Sequence, residues 1–171
     1  GALLCSLLIW SVYKNPKTKA SDVFVAGLAS GCLTQSITCG GQCFINLVAG
    51  RFHGGVVACQ IEAIAHISSI LTEFVCVAAI SACAYLKYVI NFDLSTFTAV
   101  VIVITVWFTC IIITGLASLI SDIYLMSAGS YCFFEFRSFA ISGLLLPGLV
   151  ISLIVMIYCH CKIFRHFTSL I

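Results

Sequence analysis

Charged residues are scarce in this chain. Of its 171 residues, 8% are charged and 62% are hydrophobic. Soluble domains carry about 25% charged residues, so the composition excludes a soluble globular protein. The net charge of +2 is too small to indicate a nucleic-acid partner. The sequence instead predicts a membrane protein in contact with lipid. Its spans should be helical, because lipid offers no hydrogen-bond partners to an unpaired backbone.

Catalytic and metal-binding motifs are also absent from the sequence. It contains no Gly-x-Ser-x-Gly, no His-Glu-x-x-His and no phosphate-binding glycine loop. The only dense cluster of metal-ligating residue types, Cys159-His160-Cys161, lacks the further ligands that zinc requires. We therefore expect neither an enzyme nor a metal site.

Five apolar segments account for most of the chain, and they predict an all-α polytopic transmembrane bundle. A bilayer core about 30 Å thick requires about 20 apolar residues, so the first segment is interpreted as the last half of a helix whose start is missing. We expect Gly40-Gly41 to end or bend the second segment and Pro147 to kink the last. The expected spans, within a single transmembrane domain 1–171, are 1–13, 22–46, 55–89, 95–120 and 138–166.

The third segment is unusual because it contains ionisable residues within an apolar run. At about 100° per residue, Glu62, His66 and Glu73 fall on one face of a helix. A charge facing lipid is costly, so this face should look into the protein interior or a wet cavity. The segment is therefore expected to be the central helix.

The distribution of basic residues predicts the orientation. Arg51 and Arg137 fall on one side of the membrane, and six basic residues fall on the other, which is expected to be cytoplasmic: Lys14, Lys17, Lys19, Lys87, Lys162 and Arg165. The first segment then starts outside and the last ends in the cytoplasm. Cys59 and Cys132 lie together on the oxidising face, where a bridge would tie the 121–137 loop to the third segment. The alternative is two unpaired thiols, and Cys39 and Cys43 are weaker candidates.

This order of features resembles that of rhodopsin-like (class A) G protein-coupled receptors, from about the middle of helix 1 to the end of helix 5. The shared features are a Cys opening a long third helix, a Trp in the fourth (Trp107), a Cys in the following loop and a Pro and a Tyr in the fifth (Pro147 and Tyr158). The resemblance covers the whole chain but only about five of seven helices. It implies a divergent receptor in the plasma membrane that transmits a signal from an unknown extracellular ligand, or light, to a heterotrimeric G protein.

The resemblance also assigns individual positions, several of which depart from the family pattern. Cys32 stands where the family has its sodium-site aspartate. The Asp-Arg-Tyr motif falls on Cys83-Ala84-Tyr85 or, with a slip, on Leu86-Lys87-Tyr88. The cytoplasmic surface expected to couple to the G protein comprises Tyr85, Lys87, Tyr158 and Arg165.

Three acidic or basic side chains are candidates for function. Glu62 and His66 are expected to contact ligand, or else to meet the interface and a neighbouring helix. Glu73, with Cys32 opposite, is a candidate ion or proton site, the alternative being a neutral hydrogen-bonded carboxyl between helices. Retinal is expected only if a seventh-helix lysine lies beyond this chain, and no other cofactor is expected. The alternative hypotheses are a small transporter or channel, in which Glu62, His66 and Glu73 relay protons or cations, and a structural membrane protein without a functional site.

Overall fold

A computed structural model describes residues 1–50, 54–125, 132–135 and 137–169. Arg51 therefore lies outside the described residues. Within these described ranges, five α-helices and one β-hairpin follow one another, with π-helical turns extending α3 and preceding α5. The helices are α1 Ala2–Lys14, α2 Ala20–Ala49, α3 Gly55–Tyr85, α4 Thr96–Ala117 and α5 Leu146–Thr168. The strands are β1 Ile123–Leu125 and β2 Cys132–Phe134.

Helix α3 is the centre of the bundle, as the sequence predicts. It packs against α2, α4, α5 and both strands of the hairpin. Four helical segments, Ala20–Ala49, Gly55–Ile90, Thr96–Ala117 and Ala140–Thr168, are long and apolar enough to cross a membrane. The all-α transmembrane bundle is confirmed, and the protein is an integral membrane protein. The bounds of these four segments differ from the corresponding expected spans by three residues or fewer.

Gly40-Gly41 does not end α2, which was one of the two expectations for this pair, because the helix continues through both glycines to Ala49. A glycine in a helix costs roughly 1 kcal/mol relative to alanine. Breaking backbone hydrogen bonds in a bilayer costs several kcal/mol per group, so the helix persists. It ends instead at Gly50, whose φ of 66° is the left-handed conformation that favours glycine.

The entry to α5 is irregular just before Pro147. Residues Ala140–Leu145 form π-helical turns, and the α-helix begins at Leu146 with Pro147 in its first turn. Proline has no N–H and its ring collides with the carbonyl four residues earlier. The π-helical turns include Gly143, the residue four positions before Pro147, where such a wider turn gives the ring more room. The kink expected at Pro147 stays a prediction.

The two ends of the bundle differ in charge and in secondary structure. The loops joining α1 to α2 and α3 to α4, together with the end of α5, form what we call the basic end. The β1–β2 hairpin lies at the opposite end, the hairpin end. It is antiparallel, with Leu125 opposite Cys132 and Ile123 opposite Phe134. A core of α3, α4, α5 and hairpin residues fills the space beneath it: Ala63, Ile67, Ala117, Phe134, Ala140 and Ile141.

Candidate functional site

The disulfide predicted at the hairpin end is present. Cys59, in the first turns of α3, is bonded to Cys132 of β2, with their Cα atoms 5.2 Å apart. Cys132 is fully buried. The bridge therefore ties the hairpin to the start of the central helix. Cys39 and Cys43, the weaker candidates, are free thiols.

Glu62 lies one turn beyond the disulfide and is buried, with 6% of its surface exposed. Its Oε2 accepts a hydrogen bond from the Cys132 backbone N–H at 3.1 Å. Its Oε1 is buried and has no hydrogen-bond partner among the described residues. The carboxyl that the sequence assigns to ligand contact thus accepts a hydrogen bond from the hairpin backbone through Oε2, while Oε1 has no partner in the part of the chain that the structure describes.

His66 lies one further turn along α3 and contacts both α2 and the hairpin. Its Nδ1 is 2.9 Å from Cys39 Sγ. Its ring meets the Phe133 ring edge to face, with centroids 5.3 Å apart. Sequence reasoning did not pair His66 with Cys39, because the register of α2 against α3 is set by packing that no local pattern reveals.

Glu73 lies deeper in the bundle, facing α2. Gln35 Nε2 donates a hydrogen bond to Glu73 Oε1 at 3.1 Å, and the Cys32 thiol adjoins the same carboxyl. Gly31 provides the room, since a Cβ there would lie 2.7 Å from Glu73 Cγ. The two residues assigned to an ion or proton site, Cys32 and Glu73, are therefore brought together, and Gln35 joins them.

The three ionisable groups of α3 point inward, but each meets a different neighbour. Glu62 contacts Cys132, His66 contacts Cys39, and Glu73 contacts Gln35. The span from Glu62 to Glu73 corresponds to about 16 Å along a helix.

Trp107 of α4 anchors that helix to α2. Its indole N–H donates to Ser30 Oγ at 3.0 Å, and Ser30 Oγ in turn donates to the Gly27 carbonyl at 2.6 Å. Gly27 is closely approached by Cys76 of α3 and Val103 of α4. The three helices therefore meet around small residues, as is usual for packing in membranes.

Aromatic residues join α3 and α5 at the basic end. The rings of Tyr85 and Tyr158 are in edge contact, with centroids 6.0 Å apart, and the Lys162 ammonium lies 5.6 Å from the Tyr158 ring centre. Arg165 is exposed one turn further along α5. Three of the residues assigned to partner coupling, Tyr85, Tyr158 and Arg165, thus border one surface.

Lys87 lies in the π-helical turns that end α3 at the basic end. Its ammonium is 3.4 Å from an Asp93 carboxylate oxygen, and both side chains are exposed. Asn91 closes this segment in the left-handed conformation, with φ of 58°. Lys87 also borders a cavity of about 560 Å³ between the α1–α2 loop and the ends of α3 and α4.

Comparison with known proteins identifies the architecture. No protein-family model and no curated protein sequence matches this chain. A crystal structure of squid rhodopsin matches with a TM-score of 0.84 at 16% identity, covering 96% of this chain. The chain has the rhodopsin fold. It spans about half the length of that rhodopsin, since 48% of the solved chain is covered.

The rhodopsin fold confirms the architecture that the sequence resemblance implies, and it does not favour the alternative of a small transporter or channel. It is not an enzyme fold. The Cys59–Cys132 bridge is confirmed as well. The roles assigned to Glu62, His66, Glu73, Cys32 and the coupling residues remain predictions.

Proposed function

We propose that this chain extends from about the middle of the first helix to the end of the fifth helix of a receptor that transmits an extracellular ligand or light signal to a heterotrimeric G protein. The observation that carries the proposal is the rhodopsin fold over 96% of the chain. In the proposed orientation, the hairpin end faces outside the cell and the basic end faces the cytoplasm, as the distribution of lysine and arginine favours. The membrane would be the plasma membrane.

The proposed ligand region lies beneath the hairpin, around Glu62 and His66. Both side chains are directed into the bundle, and Glu62 Oε1 is a buried acceptor without a described partner. Leaving such an oxygen unpaired costs free energy, so a donor group of a ligand would gain by reaching it. Retinal would require a lysine in a seventh helix, and no other cofactor is proposed.

Glu73 is proposed to act in the switch between two packings of the bundle. Its carboxyl lies between α2 and α3, beside Cys32, so its charge depends on a proton or cation in that space. A signal shifts the bundle only if it binds the two packings with different affinities. Glu73→Ala should therefore abolish signalling while expression and ligand binding are retained. A fully wild-type response would remove Glu73 from the mechanism.

The G protein is proposed to bind the surface formed by Tyr85, Lys87, Tyr158 and Arg165. The test is nucleotide exchange on purified heterotrimeric G proteins of each class, with the full-length receptor in lipid vesicles. The receptor should accelerate exchange for at least one class, and Arg165→Ala should lower that rate by about tenfold, as loss of a charged interface contact does.

The matched control is Leu119→Ala, which alters an exposed residue at the hairpin end and should leave the exchange rate unchanged. No acceleration with any class of G protein would contradict the proposal. Equal loss of activity in the Arg165 and Leu119 variants would contradict the assignment of the coupling surface.

A further inference from the structure

A cavity separate from the Glu62 region lies at the hairpin end, between the start of α3, the end of α4 and the start of β1. Its volume is about 500 Å³, within the range of pockets that bind small molecules. Gln60 of α3 borders the cavity and is exposed. Gln60 and Glu62 lie about 160° apart around the helix axis, since each residue advances by about 100°. The cavity is therefore on the opposite side of α3 from the buried Glu62 carboxyl.

The charged residues at this cavity favour a cation. Asp122 borders the cavity and is exposed, and its carboxylate forms no ion pair within the described residues. The Asp122 carbonyl accepts a hydrogen bond from the Glu135 N–H at 2.9 Å, which continues the hairpin register by one pair. The two acidic residues thus occupy directly opposed positions, where like charges repel each other. A cation held at Asp122 would offset that repulsion.

The end of α4 adds to the negative potential of the cavity. The last turn of this helix contains no basic residue, and the carbonyls at a helix C-terminus carry a partial negative charge that attracts cations. Ser121 also borders the cavity, and its Oγ is buried without a hydrogen-bond partner in the part of the chain that the structure describes. A hydroxyl oxygen accepts hydrogen bonds, so a ligand N–H at Ser121 would remove the cost of leaving this oxygen unpaired.

Apolar side chains border the cavity beside these polar groups. Val56 and Ile120 are 75% and 73% exposed, and both belong to the cavity wall. An ammonium group has three N–H donors and no acceptor, which suits the Asp122 carboxylate and the Ser121 hydroxyl. An apolar body attached to that ammonium would pack against Val56 and Ile120. The lining therefore matches a molecule that is charged at one end and apolar at the other.

We propose that this cavity binds a small amphiphilic amine from the solution at the hairpin end. Asp122 and Ser121 hold its ammonium group, and its apolar body packs against Val56 and Ile120. The site is separate from the proposed ligand region around Glu62 and His66. Binding requires neither a G protein nor a ligand at Glu62, so this proposal holds or fails independently of the proposed receptor function.

The test is photolabelling of the full-length protein in phosphatidylcholine nanodiscs with 4-phenylbutylamine whose ring carries a diazirine. Light releases N₂ from the diazirine, and the carbene inserts into a neighbouring C–H or O–H bond. Mass spectrometry then locates and quantifies the label as the probe concentration is raised. The same diazirine on 4-phenylbutanol is the control for partition into lipid. Labelling of residues 118–123 should saturate with the amine and require at least about tenfold more of the alcohol, because the alcohol lacks the charge.

Asp122→Asn should raise the half-saturating amine concentration by at least about tenfold, because the charged partner of the ammonium is lost. Its carbonyl still accepts from the Glu135 N–H, so the hairpin is retained. Glu135→Gln is the matched control, since it removes a carboxylate from the same end of the hairpin but outside the cavity wall. That variant should change the value by less than about threefold. Equal losses in the two variants, or no loss in Asp122→Asn, would overturn the proposal.

Two further measurements use the wild-type protein and do not depend on how Asp122→Asn folds. Equal labelling of residues 118–123 by the amine and the alcohol would overturn the proposal by itself. Phosphatidylethanolamine, whose headgroup carries a primary ammonium, is then added to the nanodiscs. Unchanged labelling by the amine supports a soluble ligand. Loss of labelling would assign the cavity to a lipid headgroup and overturn the proposal.

Discussion

Glu73 of α3 and Gln35 of α2 are joined by a hydrogen bond of 3.1 Å between Gln35 Nε2 and Glu73 Oε1. Gly31, one turn before Gln35, is where the Glu73 side chain crosses the surface of α2. A Cβ at Gly31 would lie 2.7 Å from Glu73 Cγ and 2.8 Å from Oε1. This bond across the centre of the bundle therefore depends on the absence of a side chain at position 31.

Gly31→Ala should destabilise the protein, because the added methyl group displaces the Glu73 carboxyl from Gln35. Overpacking of this kind costs about 1–3 kcal/mol, measured as a lower free energy of unfolding in detergent. Gly115→Ala is the matched control, since a Cβ there would meet nothing within 4 Å. That variant should be neutral or slightly stabilising, because alanine favours the helix. Equal loss of stability in both variants would contradict the close packing at Gly31.

Trp107→Phe should weaken the contact between α4 and α2 by removing the N–H donor to Ser30 Oγ. Hydrogen bonds between membrane helices contribute about 0.6 kcal/mol on average. Ser30→Ala should cost a similar amount, and the double variant should cost less than the sum of the two. A double-mutant cycle on the free energy of unfolding measures this coupling. Strict additivity would show that the two side chains do not interact.

The Cys59–Cys132 bridge should appear as one linked peptide pair when the non-reduced protein is digested and analysed by mass spectrometry. Cys59→Ser should lower thermal stability, because a closed loop of 73 residues restricts the unfolded chain. A random-coil model gives about 4 kcal/mol for such a loop, and helices that stay in the membrane reduce this value. Cys161→Ser, at an exposed free thiol, should change neither result. Linkage of Cys132 to any other cysteine would contradict the fold.

Lys87→Met should leave stability nearly unchanged. The ion pair with Asp93 is exposed on both sides, and such pairs contribute about 0.2–1 kcal/mol at most. A loss of G protein activation in this variant, at wild-type stability, would therefore report contact with the partner rather than a damaged fold. Thermal unfolding and nucleotide exchange on the same preparation separate these outcomes. A large loss of stability would contradict the exposed position of Lys87.

The spans could be predicted from sequence because the bilayer imposes length and hydropathy on each helix separately. The central position of α3 could also be predicted from the sequence, since Glu62, His66 and Glu73 had to face the protein interior and not the lipid. The continuation of α2 past Gly40-Gly41 was not predicted. In water a pair of glycines can end a helix, because water replaces the lost backbone hydrogen bonds. In lipid no water is available, so the helix keeps its backbone hydrogen bonds and continues.

The contacts made by the candidate residues were harder to predict. The Glu62–Cys132 and His66–Cys39 pairs depend on how the hairpin and α2 dock on α3, and no local pattern encodes that register. The disulfide could be predicted because topology placed both cysteines on one face. The β-strand around Phe133 was missed because the whole 121–137 segment was interpreted as a loop.

The most direct test of the proposed receptor is to read the transcript past Ile171 to its stop codon. A seven-helix receptor requires two further apolar spans, and we expect the first to have a proline near its middle and the second to end near Asn-Pro-x-x-Tyr. A lysine within the second of these spans would also make Glu62 a counterion candidate for a retinal Schiff base. A stop codon directly after Ile171 would contradict the claim that this chain is part of a seven-helix receptor.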